Sequence, residues 1–285
     1  SLKVKEALLE GNFKSPVIAV RVNEQSSHVG VEEVSAIVLQ AGKSLNSLII
    51  PKVETADQVF DLDKRLSELE QSANLIIGSI KIQIQIESAL GLSNITSIAG
   101  ASKRITSLIF GPGDFAASLG MQVINIGENP INYPGTDAYH YVLFSILVAA
   151  RANGLLAIDG PYSDISNTEG LKNRSNLSAS LGYDGKWVIH PGQIETVNVA
   201  FTPSQKSFDL AAKVMNHFIE ETNSKRRVPT QSSPSRSLPL GKSSINHFGA
   251  LNLLPLRDIN SEPFHRALMP SSLLLSKYSV ILILS

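Results

Sequence analysis

Residues 80–91 read IKIQIQIESALG, a two-residue alternation that stops at a glutamate. Ile80, Ile82, Ile84 and Ile86 fall on one face, and Lys81, Gln83, Gln85 and Glu87 on the other. That is the pattern of a strand with unlike faces. The β-branched row suits packing beneath helices. The polar row ends in a carboxylate with small neighbours, Ser88 and Ala89, which leave room for a ligand, and Gly91 lets the chain turn away. Lys81, Gln83 and Gln85 fit a barrel interior poorly, because such interiors are layered with apolar side chains. Solvation near an open sheet edge is the expectation they raise.

Strands and helices alternate on both sides of this stretch, from about residue 15 to 222. VIAVRVN (17–23) is a β-branched run with a polar tip, and VEEVSAIVLQAG (31–42) has helical spacing and a closing glycine, Gly42. SLIIPKVE (47–54) reads as a buried strand. Thr55 and Gln58 then form a capping box at the head of an amphipathic helix. Beyond residue 91 the pattern gives a short helix from near Ser93 and a strand in ITSLIFGPGD (105–114) that enters a glycine-rich turn. An apolar helix over 137–154, a strand in LLAIDGPY (155–162) and a helix over 168–182 follow. GKWVIHPGQ (185–193) reads as a strand with its exit loop, and a last helix carries Pro203 in its first turn. The repeat argues for a parallel sheet covered by helices. Six strands are visible; an open doubly wound sheet uses six, whereas a (β/α)8 barrel needs two more. The fingerprint GxGxxG is absent, which weakens the dinucleotide-binding alternative.

Composition narrows the function classes. The chain has 285 residues, enough for one large domain or two small ones, with 43% apolar residues and a formal charge of zero. Zero net charge gives no general pull towards nucleic acid or anionic membrane. Without cysteine there is neither a disulfide framework nor a thiolate metal site, which fits a reducing compartment. No apolar run reaches the roughly 20 residues of a membrane helix.

In parallel α/β sheets, ligands lie beyond the carboxyl ends of the strands. Three polar residues fall there: Arg21 near the end of VIAVRVN, Glu87 at the end of IKIQIQIE, and Asp114 just past TSLIFGPG. Two carboxylates and a guanidinium converging on one mouth would suit Mg²⁺ and an anionic substrate. Magnesium takes few oxygen ligands from protein and keeps positions for water and substrate. Arginine offers a planar fork matched to a carboxylate.

IPKVE (50–54), IESALGLSNITSIAGAS (86–102), FGPGDFAASLG (110–120), AIDGPYSDISNTEG (157–170) and LGYDGKWVIHPGQI (181–194) occur in one order and spacing. Together, over about residues 15–220, they resemble the citrate lyase β-subunit/malyl-CoA lyase family of the HpcH/HpaI aldolase superfamily. The insert YPGTDAYHY (133–141) is most similar to its malyl-CoA and β-methylmalyl-CoA lyase branch. The resemblance implies a TIM-type (β/α)8 barrel and a Mg²⁺-dependent carbon–carbon lyase. Its substrates would be 3-hydroxyacyl-CoA thioesters such as malyl-CoA, methylmalyl-CoA or citramalyl-CoA. The products would be acetyl-CoA or propionyl-CoA with glyoxylate or pyruvate. It further implies that Glu87 and Asp114 hold the metal, that Arg21 and Glu87 bind substrate oxygens, and that Ile158 and Asp159 line the substrate pocket. Lys52 is expected near the mouth, paired with Glu54, and His190 as a structural residue bonded to a loop. A homo-oligomer of three or six copies, a cytoplasmic location (alternatively the mitochondrial matrix), and no nucleic-acid or membrane partner complete the expectation.

By the same resemblance two strands would precede Ser1, with VKEALLEG (4–11) as the helix after the second, and a C-terminal lid would follow residue 222. The expected organisation is therefore an incomplete barrel domain over 1–222 and a Ser/Pro-rich basic tail over 223–285 that builds no packed core. Lys225, Arg226 and Arg227 read as solvated charge. RDINSEP (257–263) does not match the lid motif, and Asp258 is given no role. Two alternatives stand beside the acyl-CoA lyase: a CoA-independent 2-oxo acid aldolase of the same superfamily, and an inactive fragment with only a binding role.

Overall fold

The computed structural model describes residues 2–226 other than Asn12, Lys14 and Pro16. Within these it contains α1 (Leu2–Glu10), β1 (Ala19–Arg21), α2 (His28–Ala41), β2 (Ser47–Ile50), α3 (Ala56–Ser72) and β3 (Lys81–Ile86). Next come α4 (Ala89–Ser93), α5 (Ile95–Ala99), β4 (Ile105–Phe110), α6 (Pro112–Ser118) and α7 (His140–Ala152). The series closes with β5 (Leu156–Asp159), α8 (Thr168–Leu181), β6 (Gly185–Lys186), α9 (Ile194–Phe201) and α10 (Gln205–Arg226). The chain divides into two compact units between Phe201 and Thr202. All described strands belong to the first; α10 is the described part of the second. Residues from 227 onwards, Arg227 and Asp258 among them, lie outside the described residues, as does most of the tail expected over 223–285. No helix among the described residues is long and apolar enough to cross a membrane.

All pairings are parallel and the strand order is β1-β2-β3-β4-β5-β6. A doubly wound sheet reverses its order at a switch point; this one never does. Successive right-handed crossovers therefore place the helices on one side, and the sheet curls as part of a barrel. Among the described residues β1 and β6 each pair with a single neighbour, so the barrel is incomplete, as expected.

The alternation in β3 sorts its side chains into two layers. Ile82, Ile84 and Ile86 join Leu48, Leu108, Val59 and Leu66 in the large core between sheet and helices. Each fully buried isoleucine contributes about 1.5–3 kcal/mol. A second, smaller cluster fills the concave side: Ala19, Ile49, Ile109, Ile158 and Trp187. Gln83 and Gln85 share that side and are 6% and 4% exposed, so solvation at an edge does not account for them. Gln83 is instead satisfied across the sheet. Its amide donates to Ser47 Oγ at 2.8 Å on β2, and its Oε1 accepts from Ser107 Oγ at 3.1 Å on β4. The interior layer is polar where three adjacent strands can complete one another's hydrogen bonds. Lys81 donates to the carbonyl of Gly78 at 2.8 Å.

A buried ion network ties α3 to the starts of β3 and β4. Arg104 donates to Asp63 Oδ1 at 2.5 Å, to Glu70 Oε2 at 2.8 Å and to the carbonyl of Ile80 at 3.0 Å. Glu70 also accepts the N–H groups of Gly78 and Ile80, each at 2.7 Å. Burial alone would raise the Glu70 carboxyl, but Arg104 and these N–H donors outweigh it and hold it below the usual range.

Several boundaries differ from expectation for local reasons. The short helix begins at Ala89 rather than near Ser93, because the Ser88 side chain caps it by accepting from Gly91 N–H. GPGD is not only a turn: Pro112 opens α6 at its first position. Strand β6 is two residues long, and α9 follows directly on the exit loop, over residues to which the sequence pattern assigns no element. Ser204, whose Oγ accepts from Ser207 N–H, caps the last helix, so Pro203 lies just before it.

Candidate active site

Arg21 closes β1, Glu87 follows β3 and Asp114 stands in the first turn of α6 after β4. The Arg21 Nε donates to Gln85 Oε1 at 3.0 Å, which orients the guanidinium, and its Nη2 lies 3.9 Å from Glu87 Oε1. Glu87 is 3% exposed and accepts the main-chain N–H of Lys52 at 2.9 Å. Lys52 follows Pro51 at the end of β2 and has φ +52°, a left-handed conformation that turns its N–H towards the acid. Its ammonium lies 3.7 Å from Asp114 Oδ1 and 3.8 Å from Glu24 Oε2. The expected pair with Glu54 is not formed; Glu54 accepts from Ser88 Oγ at 2.6 Å instead.

Close backbone approach seats the turn that leads to Asp114 against Glu87. A Cβ on Gly111 would stand 2.5 Å from both Cβ and Oε2 of Glu87, so this position requires glycine. Burial pushes the Glu87 carboxyl up to about 7; Arg21 opposes that rise, while the charge of Asp114 adds to it. A buried acid strained by a second acid is the electrostatic condition that a divalent cation relieves. Among the described residues no group of three or more His, Cys, Asp or Glu could hold a metal. Two carboxylates with the remaining positions left to water or substrate would suit magnesium and not a structural zinc site.

Ile158 lines the concave apolar cluster beside Ile109 and Trp187. Asp159 is placed differently from the three mouth residues. Its Oδ1 accepts from Gly160 N–H at 2.7 Å and its Oδ2 from Lys186 Nζ at 2.7 Å, so both oxygens are engaged. His190 is exposed, and its Nδ1 accepts from Gly192 N–H at 3.1 Å, a loop-holding role as expected. Sequence reasoning missed Glu24, Gln85 as the tether of Arg21, and Gly111. The polar row of β3 carried the signal for Gln85, and the glycine directly after the strand carried it for Gly111.

Comparison with known proteins supplies the relationship. An L-malyl-CoA/beta-methylmalyl-CoA lyase of Cereibacter sphaeroides is 33% identical over 222 residues, covering 75% of this chain and 70% of that protein. The chain spans only 64% of the length of the lyase from another strain, at 34% identity. A citrate lyase subunit beta of Haemophilus influenzae is 33% identical over 219 residues, 77% of this chain and 71% of the relative. Among solved structures, the citrate lyase beta subunit of M. tuberculosis complexed with oxaloacetate and magnesium superposes with a TM-score of 0.54 at 26% identity. That match covers 70% of this chain and 79% of that one. Residues 2–191 match the HpcH/HpaI aldolase/citrate lyase family, the same span that builds the sequential parallel sheet and its acidic mouth, and the chain belongs to that family.

Proposed function

We propose that the chain is a Mg²⁺-dependent carbon–carbon lyase of 3-hydroxyacyl-CoA thioesters, with Glu87 and Asp114 holding the cation and Arg21 binding the acid end of the substrate. The observation that carries the reading is Glu87 itself: 3% exposed, held by Lys52 N–H, beside Arg21, and raised to about 7 by burial and Asp114. When bound, the cation would supply Lewis-acid stabilisation to the substrate oxygen that becomes a carbonyl. The Arg21 fork, fixed by Gln85, would take the substrate carboxylate. In the cleavage of malyl-CoA the hydroxyl gives up its proton and the carbon–carbon bond breaks. The electron pair left on the thioester α-carbon takes a proton, giving acetyl-CoA and glyoxylate. Relatives named malyl-CoA lyase support a CoA thioester, and the M. tuberculosis structure with oxaloacetate and magnesium supports an anionic 2-oxo acid at a metal. Ile158 would form part of the pocket wall; a homo-oligomer of three or six copies in the cytoplasm belongs to the same reading.

The test is turnover of malyl-CoA and citramalyl-CoA by the purified 285-residue chain with and without Mg²⁺. Cleavage that needs the metal and is abolished in Glu87→Ala and Asp114→Ala is the expected result. Cleavage of free hydroxy-oxo acids but not the thioesters would favour the CoA-independent aldolase. A folded chain that turns over neither would leave a binding role only.

A further inference from the structure

Lys186 ends the short strand β6 with a side chain only 2% exposed. Its ammonium donates to Asp159 Oδ2 at 2.7 Å and to the carbonyl of Gly160 at 2.6 Å, while Asp159 Oδ1 takes the N–H of Gly160. Gly160 is thus gripped at both of its polar ends. It also packs directly on the next turn: a Cβ there would stand 2.2 Å from Cδ of Pro112 and 2.4 Å from the carbonyl oxygen of Phe110. Pro112 is the first residue of α6, and Asp114 follows two residues later. On the opposite side the same turn meets Glu87, through the close approach of Gly111 and a 2.9 Å bond from Gly111 N–H to the carbonyl of Ile86. The GPGD turn therefore lies between two glycine contacts. One faces the acid of β3, and the other faces the ion pair of β5 and β6.

We propose that Lys186, acting through Asp159 and Gly160, is a positioning residue that sets Asp114 against Glu87 and so governs divalent-cation affinity at the mouth. This rests on the reading of Glu87 and Asp114 as metal ligands. A buried ion pair contributes little net stability compared with apolar replacements of similar volume. An apolar pair would fill the same space, but it could not hold the Gly160 carbonyl. Support of this kind, one step removed from the metal, commonly changes affinity by about 10–100-fold.

The experiment measures Mn²⁺ binding, as a probe for Mg²⁺, by calorimetric titration of the full chain. The paired variant Lys186→Met with Asp159→Leu removes both charges and avoids leaving one buried alone. It is expected to melt within a few degrees of the parent and to bind Mn²⁺ about tenfold or more weakly. The single variant Lys186→Met is compared with Leu66→Ala, a core change on α3; Leu66→Ala is expected to lower Tm while keeping Mn²⁺ affinity. Parental affinity in the paired variant overturns the proposal, and so does an equal loss in Leu66→Ala. Parental affinity in Asp114→Ala overturns the metal reading itself, and with it this inference; that failure is distinguishable because it removes a ligand rather than its support.

Discussion

The main-chain N–H of Lys52 donates to Glu87 Oε1 at 2.9 Å while the ammonium of the same residue reaches Asp114 Oδ1 at 3.7 Å. One residue therefore addresses both acids, the first by its backbone and the second by its charge. The left-handed φ of +52° is the conformational cost, about 1–2 kcal/mol for a residue with a side chain.

Replacing Lys52 by glycine separates these two roles. Relief of the backbone strain is offset by the greater entropy of the unfolded chain, about 0.5–1 kcal/mol, and by loss of exposed ion pairs worth little. Lys52→Gly is expected to keep stability within about 1 kcal/mol of the parent. Its affinity for Mn²⁺ should rise several-fold, because Asp114 loses a competing cation. Lys52→Val, β-branched in a left-handed conformation, should lose about 2 kcal/mol. Urea denaturation and metal titration of the two variants check both outcomes.

The raised Glu87 carboxyl makes metal-free stability depend on pH. Between its ordinary value of 4.5 and about 7 the unfolded chain has released this proton and the folded chain keeps it. The unfolded state binds fewer protons in that window, so stability falls as pH rises through it, by about 3 kcal/mol in full. Glu87→Gln is expected to match the parent near about pH 4 and to exceed it by up to about 3 kcal/mol near pH 8, while losing divalent-cation binding. Denaturation curves across that range without metal test the sign.

Arg21 is oriented by Gln85, so the amide should matter to an anionic substrate although it need not touch it. Gln85→Ala is expected to raise KM about tenfold with a smaller change in kcat, since the fork loses its fixed plane. Arg21→Lys, which keeps the charge and loses the fork, should be at least as damaging. Steady-state kinetics with malyl-CoA distinguish the two effects.

The Arg104 network carries a stability expectation independent of the mouth. Arg104→Leu would leave Asp63 and the fully buried Glu70 without their cation, at a cost of about 3–5 kcal/mol. Burial works to raise Asp63 and Glu70, but their bonds hold both below ordinary carboxyl values. Their stabilisation is present above the unfolded values of 3.8 and 4.5 and is lost as pH falls through the lower folded ones. The acid limb of a stability–pH profile should therefore flatten in Arg104→Leu.

Strand β3 was legible because Ile82, Ile84 and Ile86 repeat with the period of a pleat, and the mouth was legible because Arg21, Glu87 and Asp114 all fall at strand ends. What Gln83 does was not, since an amide's partners depend on which strands lie alongside it and in what register. The role of Lys52 depends on one backbone angle, which no pattern of residue types encodes. Asp159 reads as a pocket residue by resemblance, but its partner Lys186 lies 27 positions away and is brought to it by the pairing of β5 with β6. Strand β6 is two residues long, and Trp187, directly after it, joins the apolar cluster, a placement with no local signature.

A curled sheet whose two outermost ribbons among the described residues, β1 and β6, each keep one flank of main-chain donors and acceptors makes a particular demand of anything that would finish the ring. Recognition there would be written in peptide groups, so a newcomer must supply the right pleat and direction while its side chains stay largely negotiable.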